Sequence, residues 1–133
     1  MGVTDLKPKV MYVEDDQDVA TVALMSMKMI GGLDATHFRS GLEALEALST
    51  LQPDLILLDV MMPEMDGVTL FKHIQNRPEG QGVPIVFMTA RVQHAEVQSY
   101  LELGATDVIG KPFDPRKLCD RLKQIITESS GLL

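Results

Sequence analysis

The sequence predicts an α/β fold: an open sheet of five parallel strands with five helices spread over its two faces. Short apolar runs without polar alternation recur along the chain, the form taken by strands buried on both faces. Amphipathic segments at helical spacing lie between them, and parallel strands need such crossover connections. Cap and turn residues separate the two kinds of segment.

Strand one is Lys9 to Glu14, an apolar run that ends in acid. From Asp16 to Ile30 a helix comes next, with Val19, Val22, Ala23, Met27 and Ile30 at helical spacing, and Gly31-Gly32 supplies the positive φ that stops it. Ala35 to Phe38 is a brief strand. Ser40 and Glu43 then fit a capping box ahead of Leu42, Leu45, Leu48 and Leu51. The run from Asp54 to Asp59 is too short for an independent helix and reads as a buried strand.

Beyond the turn Pro63 to Gly67, a third helix carries Val68, Phe71 and Ile74. Pro84 opens the strand Ile85 to Thr89. The fourth helix carries Val97, Tyr100 and Leu101 and ends at Gly104; strand five spans about Asp107 to Gly110. Asp114 suits the N-cap of the last helix and Pro115 its first turn.

A chain of 133 residues, 45% apolar and 23% charged, suits one globular domain with one adequate core. We expect residues 1–133 to form that domain, its core over about 8–128 and 129–133 a tail or cut linker. No apolar run approaches the roughly 18–20 residues of a membrane span, and the N-terminus lacks the basic and apolar regions of a leader, so a cytoplasmic protein without membrane contact is expected. The formal net charge of −7 opposes tight non-specific binding to nucleic acid, so no direct nucleic-acid contact is expected without another domain. The single Cys119 reads as a semi-buried thiol. His37, His73 and His94 read as solvated, and the nine methionines as gap fillers of the core.

In sheets of this kind ligands bind beyond the carboxyl ends of the strands. Glu14, Asp15 and Asp16 follow strand one, Asp59 ends strand three, Thr89 ends strand four and Lys111 follows strand five. Carboxylates brought together repel one another unless a cation joins them or their pKa values rise. An all-oxygen set without His or Cys points to magnesium, with manganese as a substitute. Asp59 is then a nucleophile toward phosphorus, Lys111 a counter-charge for the transferred phosphoryl group and the Thr89 hydroxyl a donor to another of its oxygens. Each acid has a plainer reading as a helix cap, and for Asp16 the two readings stand level.

The chain resembles the receiver domains of two-component response regulators from about Pro8 to Glu128. The motifs are Val13-Glu14-Asp15-Asp16, Leu57 to Gly67, Met88-Thr89-Ala90 and Lys111-Pro112-Phe113. The resemblance implies a flavodoxin-like doubly wound sheet of order 2-1-3-4-5. It implies that Asp59 takes a phosphoryl group from a histidine kinase or phosphotransfer protein. Asp15, Asp59 and the Met61 backbone carbonyl would bind magnesium directly, with Glu14 acting through water. It also implies a cis bond before Pro112, phosphate sensing by Thr89 and Lys111, and a phosphate lifetime set in part by Met61 and Arg91. Signalling to an effector protein or domain would use the face of helix four, strand five and helix five. Val108 stands where many receivers carry Tyr or Phe, so the expected signal runs instead through the loop after Thr89 and helix four.

Two other functions are weighed. Haloacid-dehalogenase-like phosphatases also form an aspartyl phosphate, but they want an acid two residues after the nucleophile, where Met61 stands. A receiver-like interaction module that is never phosphorylated is the alternative.

Overall fold

The computed structural model describes residues 7–130; the part of the expected tail beyond residue 130 lies outside them. The strands are β1 (Lys9–Val13), β2 (Asp34–Phe38), β3 (Leu55–Asp59), β4 (Ile85–Thr89) and β5 (Asp107–Gly110). The helices are α1 (Gln17–Met25), α2 (Gly41–Leu51), α3 (Gly67–Gln75), α4 (His94–Leu103) and α5 (Pro115–Ser129). A π-helical turn (Ser26–Ile30) extends α1, and a 3₁₀ turn (Pro78–Gly80) precedes β4. All neighbouring strands pair in parallel in the order β2-β1-β3-β4-β5, the order and fold class the motifs imply. Ser129, expected in the tail, is the last helical residue of α5.

Because side chains alternate across a strand, each strand feeds two cores. Met11, Val13, Ile56, Leu58 and Phe87 pack beneath α2 and α3. Tyr12, Leu55, Leu57, Val86 and Met88 pack beneath α1 and α5. Every residue of β3 and β4 is buried, and each Leu or Ile there contributes about 1.5–3 kcal/mol.

Two helices depart from the spacing read in the sequence. Of the expected α1 set, Ala23 and Met27 are buried, but Val22 and Ile30 are 52% and 46% exposed. The π turn inserts one residue into the helix, which swings the residues beyond it by about 100° and turns Ile30 outward. Its wide turn closes on the Ser26 carbonyl, which accepts from Gly31 N–H at 3.1 Å and from the Cys119 thiol at 3.2 Å. Cys119 is therefore fully buried rather than semi-buried, and burial pushes its thiol pKa up. In α2 the core face is Gly41, Ala44, Leu45 and Leu48, while Leu42 in the first turn is 62% exposed. Ser40 accepts from Glu43 N–H at 3.2 Å, and Glu43 reaches back to Arg39 N–H at 3.3 Å, one residue earlier than a capping box requires.

Helix α4 is anchored lightly. None of its residues is fully buried; Val97, Tyr100 and Leu101 are half-buried. The Tyr100 ring lies 5.2 Å from Phe87, which lies 5.4 Å from Phe71. Half-buried Val108 packs against the same core, so the aromatic group in this region comes from α4 and not from β5.

Gly67 lets α3 start directly against the end of β3. Its N–H donates to the Val60 carbonyl at 2.9 Å, and a Cβ there would run into the Asp59 carbonyl and lie 2.9 Å from Val60 Cα. Those backbone atoms cannot move aside without shifting Asp59. The Gly67→Ala variant should lose about 1–3 kcal/mol in urea unfolding.

Candidate functional site

The carboxyl ends of β1, β3 and β4 converge on one acidic pocket, with Lys111 entering from the end of β5. Glu14 follows β1 directly, and its N–H donates to the Phe38 carbonyl at 3.0 Å, prolonging the β1–β2 ladder by one rung. Its carboxylate is fully buried, whereas the next residue, Asp15, is exposed. Asp16 is the N-cap of α1: its Oδ1 accepts from Asp18 N–H at 2.9 Å and Val19 N–H at 3.2 Å. The level choice for Asp16 thus falls to the cap. Asp59 caps no helix, since Asp66 fills that role for α3 by accepting from Thr69 N–H at 2.8 Å. That N–H contact holds the Asp66 carboxyl below the usual range.

Asp59 is 3% exposed. Its Oδ1 accepts from Lys111 Nζ at 3.0 Å and from Met61 N–H at 3.4 Å, which leaves Oδ2 without an N–H donor among the described residues. Lys111 also pairs with Glu14 Oε1 at 2.8 Å. One ammonium therefore bridges two buried carboxylates, and Asp15 brings a third: single oxygens of Glu14, Asp15 and Asp59 lie within 4.8 Å of one another. Burial, then the neighbouring Glu14 carboxyl, pushes the Asp59 pKa up to about 6 against the pull of Lys111. Burial alone would lower the Lys111 ammonium, but its contacts with Glu14 and Asp59 outweigh that and raise it. Three carboxylates against one ammonium leave an excess of two negative charges when all are ionised. A hard divalent cation matches both that charge and that oxygen set.

Thr89, 1% exposed, ends β4 with its Oγ1 accepting from Arg91 N–H at 3.0 Å. The Thr89 carbonyl accepts from Lys111 N–H at 2.9 Å, which ties the two strand ends together. The Lys111–Pro112 peptide is cis. The Met61 side chain is 61% exposed, and Arg91 reaches Glu96 at the start of α4 at 4.0 Å. Met61 and Arg91 lie in the loops that leave β3 and β4, each two residues past the strand's last residue, and Val108 packs against the same core as Tyr100.

Two residues of this neighbourhood escape the sequence reading. Tyr12 is fully buried and its hydroxyl donates to Glu14 Oε1 at 3.3 Å; burial and the Glu14 carboxylate raise its pKa. The signal was its place two residues before Glu14, which puts both on one face of the strand. His37 is not solvated: it is half-buried, its ring is 5.6 Å from that of Tyr12, and its Nε2 lies 2.7 Å from the Glu14 carbonyl. His73 and His94 are exposed as expected. Among the described residues no helix is long and apolar enough to cross a membrane.

Residues 10–123 match the family described as the response regulator receiver domain. The chain is 35% identical over 93% of its length to the alkaline phosphatase synthesis transcriptional regulatory protein PhoP of Bacillus subtilis, covering 50% of that protein. It is 35% identical over 89% of its length to the DNA-binding response regulator MtrA of Mycobacterium tuberculosis, again covering 50%. It thus spans about half the length of these relatives. Their names also remove support for the expectation of no nucleic-acid contact, which the charge of a receiver-sized segment cannot carry for a longer protein. Among solved structures, the receiver domain of the sensor histidine kinase PA1611 of Pseudomonas aeruginosa superposes with a TM-score of 0.78 at 25% identity, over 95% of this chain and 99% of that one. That structure has a magnesium ion coordinated in its active-site cleft.

The raised Asp59 pKa has a stability cost of definite sign. Between pH 4 and 6 the folded state holds the Asp59 proton that the unfolded state releases, so stability falls as pH rises through that window. Without added metal, Asp59→Asn should be more stable than the wild type by about 1–3 kcal/mol at pH 7. The gap should close as pH drops toward 4, measured by urea unfolding across that range.

Proposed function

Because the chain belongs to the response regulator receiver domain family, whose members are phosphorylation-activated switches, we propose that Asp59 is its phosphoacceptor. The observation that supports this reading is the pairing of Asp59 Oδ1 with Lys111 Nζ at 3.0 Å, beside Glu14 and Asp15 at the ends of the strands. Oδ1 is held, so Oδ2 is the oxygen left to attack. It attacks the phosphorus of a phosphohistidine on a kinase or phosphotransfer protein; the new P–O bond forms as the P–N bond breaks, and the departing imidazole takes up a proton. Asp15, Asp59 and the Met61 carbonyl, with Glu14 through water, would hold magnesium, or manganese in its place, and the ion would supply positive charge against the transferring group.

The protein's own residues then retain and report the modification. Lys111 turns from the Glu14 and Asp59 carboxylates toward the new phosphoryl oxygens. The Thr89 hydroxyl, which accepts from Arg91 N–H, has its own proton to donate to another. Drawing Thr89 inward pulls on the loop from Ala90 to Gln93 and so on α4, whose Tyr100 rests on Phe87 two residues before Thr89. This route uses Tyr100 where Val108 offers no aromatic ring, and it leads to the face of α4, β5 and α5. Residues 1–133 act as one receiver domain in the cytoplasm, controlling an effector protein or domain. The role is regulatory, with turnover confined to the domain's own phosphorylation and dephosphorylation. Met61 and Arg91 slow water's approach to the phosphoryl group.

Incubation with acetyl phosphate and magnesium should add the mass of one phosphate. The label should be absent from Asp59→Asn and lost when EDTA removes the metal. A wild-type chain that takes no label from acetyl phosphate or a kinase sinks the reading and favours the unphosphorylated interaction module. Once labelled, Met61→Ala and Arg91→Ala should lose phosphate faster than the wild type, followed by mass spectrometry after removal of the donor. Unchanged decay in both would remove their assigned role. Phosphate-dependent amide shifts in α4 should shrink in Tyr100→Ala, and undiminished shifts would exclude the Tyr100 route.

A further inference from the structure

The acidic pocket is held by contacts that the phosphotransfer chemistry does not itself use, and one of them fixes the backbone that carries two of its carboxylates. Strand β1 stops at Val13, paired with Phe38, yet β2 continues to grip the chain beyond it. Glu14 N–H donates to the Phe38 carbonyl at 3.0 Å, and on the other side of the same residue the Glu14 carbonyl meets His37 Nε2 at 2.7 Å. A carbonyl oxygen only accepts, so Nε2 carries the hydrogen in this contact. The His37 ring is held in place in turn: His37 is in register with Tyr12, and the two rings lie 5.6 Å apart at 39°.

The Glu14 carbonyl belongs to the peptide plane whose other end is the N–H of Asp15. Fixing that oxygen fixes the plane, and the plane sets the direction in which Asp15 leaves the strand. Glu14 is secured independently, with Tyr12 and Lys111 on its Oε1 and Asp16 N–H on its Oε2 at 3.3 Å. Asp15 is exposed, so its aim depends on the peptide that carries it. We infer that His37 is a positioning residue for the metal site, aiming the Asp15 carboxylate at the cation through its hydrogen bond to the Glu14 carbonyl. The inference rests on the reading of Glu14, Asp15 and Asp59 as the metal-binding set. Outer contacts of this kind commonly change metal affinity 10–100-fold when removed.

The test is magnesium affinity by isothermal titration calorimetry on the full chain at one fixed pH, with urea unfolding of each metal-free variant alongside. His37→Phe keeps a ring against Tyr12 and removes the donor; His37→Gln removes the ring and keeps an N–H donor of similar reach. His37→Phe should bind magnesium about 10-fold more weakly, and His37→Gln should stay within about threefold of the wild type. A role in packing alone would produce the opposite ranking. Amide resonances of Asp15 should show the same ranking in their magnesium-dependent shifts. Wild-type affinity in His37→Phe, or Gln as weak as Phe, overturns the inference while leaving the metal site intact. A folded wild-type chain that binds no magnesium overturns the metal reading and this inference with it.

Discussion

An ammonium wedged between two buried carboxylates is the constraint around which this domain is built. Lys111 Nζ lies 2.8 Å from Glu14 and 3.0 Å from Asp59, and Asp15 stands beside them. One positive charge cannot balance three negative ones where two of the carboxylates are buried, so the arrangement is stable enough to exist and poorly satisfied enough to respond. Burial first, and then the neighbouring Glu14 carboxyl, raise the pKa of Asp59. Whatever brings positive charge to the pocket is welcomed.

The rest of the fold makes that congestion tolerable. Strands β3 and β4 are buried along their whole length, and β1 everywhere but Lys9, so the ends that carry the charges cannot drift apart without opening two cores. Backbone contacts reinforce the spacing where the strands stop: Val60 N–H donates to Met88, and Lys111 N–H to Thr89. Gly67 allows α3 to begin against Asp59 with no side chain between them. The charges are held together by apolar packing that has no chemistry of its own.

Much of this was legible in the residues. An uninterrupted apolar run such as Leu55 to Leu58 is a strand buried on both faces, and an acid at its end faces whatever the sheet binds. Asp59 follows from that logic, whereas Glu14, Asp15, Thr89 and Lys111 stand out only together, as polar residues at the ends of the other strands. Spacing failed where geometry changed inside an element: the π turn moved Ile30 off the core face, and nothing in Ser26 to Ile30 announces a widened turn. Leu42 failed because a leucine at a helix start looks the same whether it faces the core or solvent. His37 was hidden for a different reason. Its contact with Glu14 needs the pairing of β1 with β2, which pattern along the chain cannot supply. Asp16 could be settled only by seeing its oxygen on two N–H groups.

Helix α4 is the element that sits outside this tight construction, with no residue fully buried and one tyrosine resting on the core. A lightly anchored helix costs little to displace, which places it at the low-stability end of the molecule. Thermodynamic linkage then runs in both directions. If charge placed on Asp59 shifts α4 toward a second position, a protein that grips α4 in that position must in turn favour charge on Asp59. The listener and the sender would share one equilibrium, so that how much of the signal is held depends in part on who is bound to receive it.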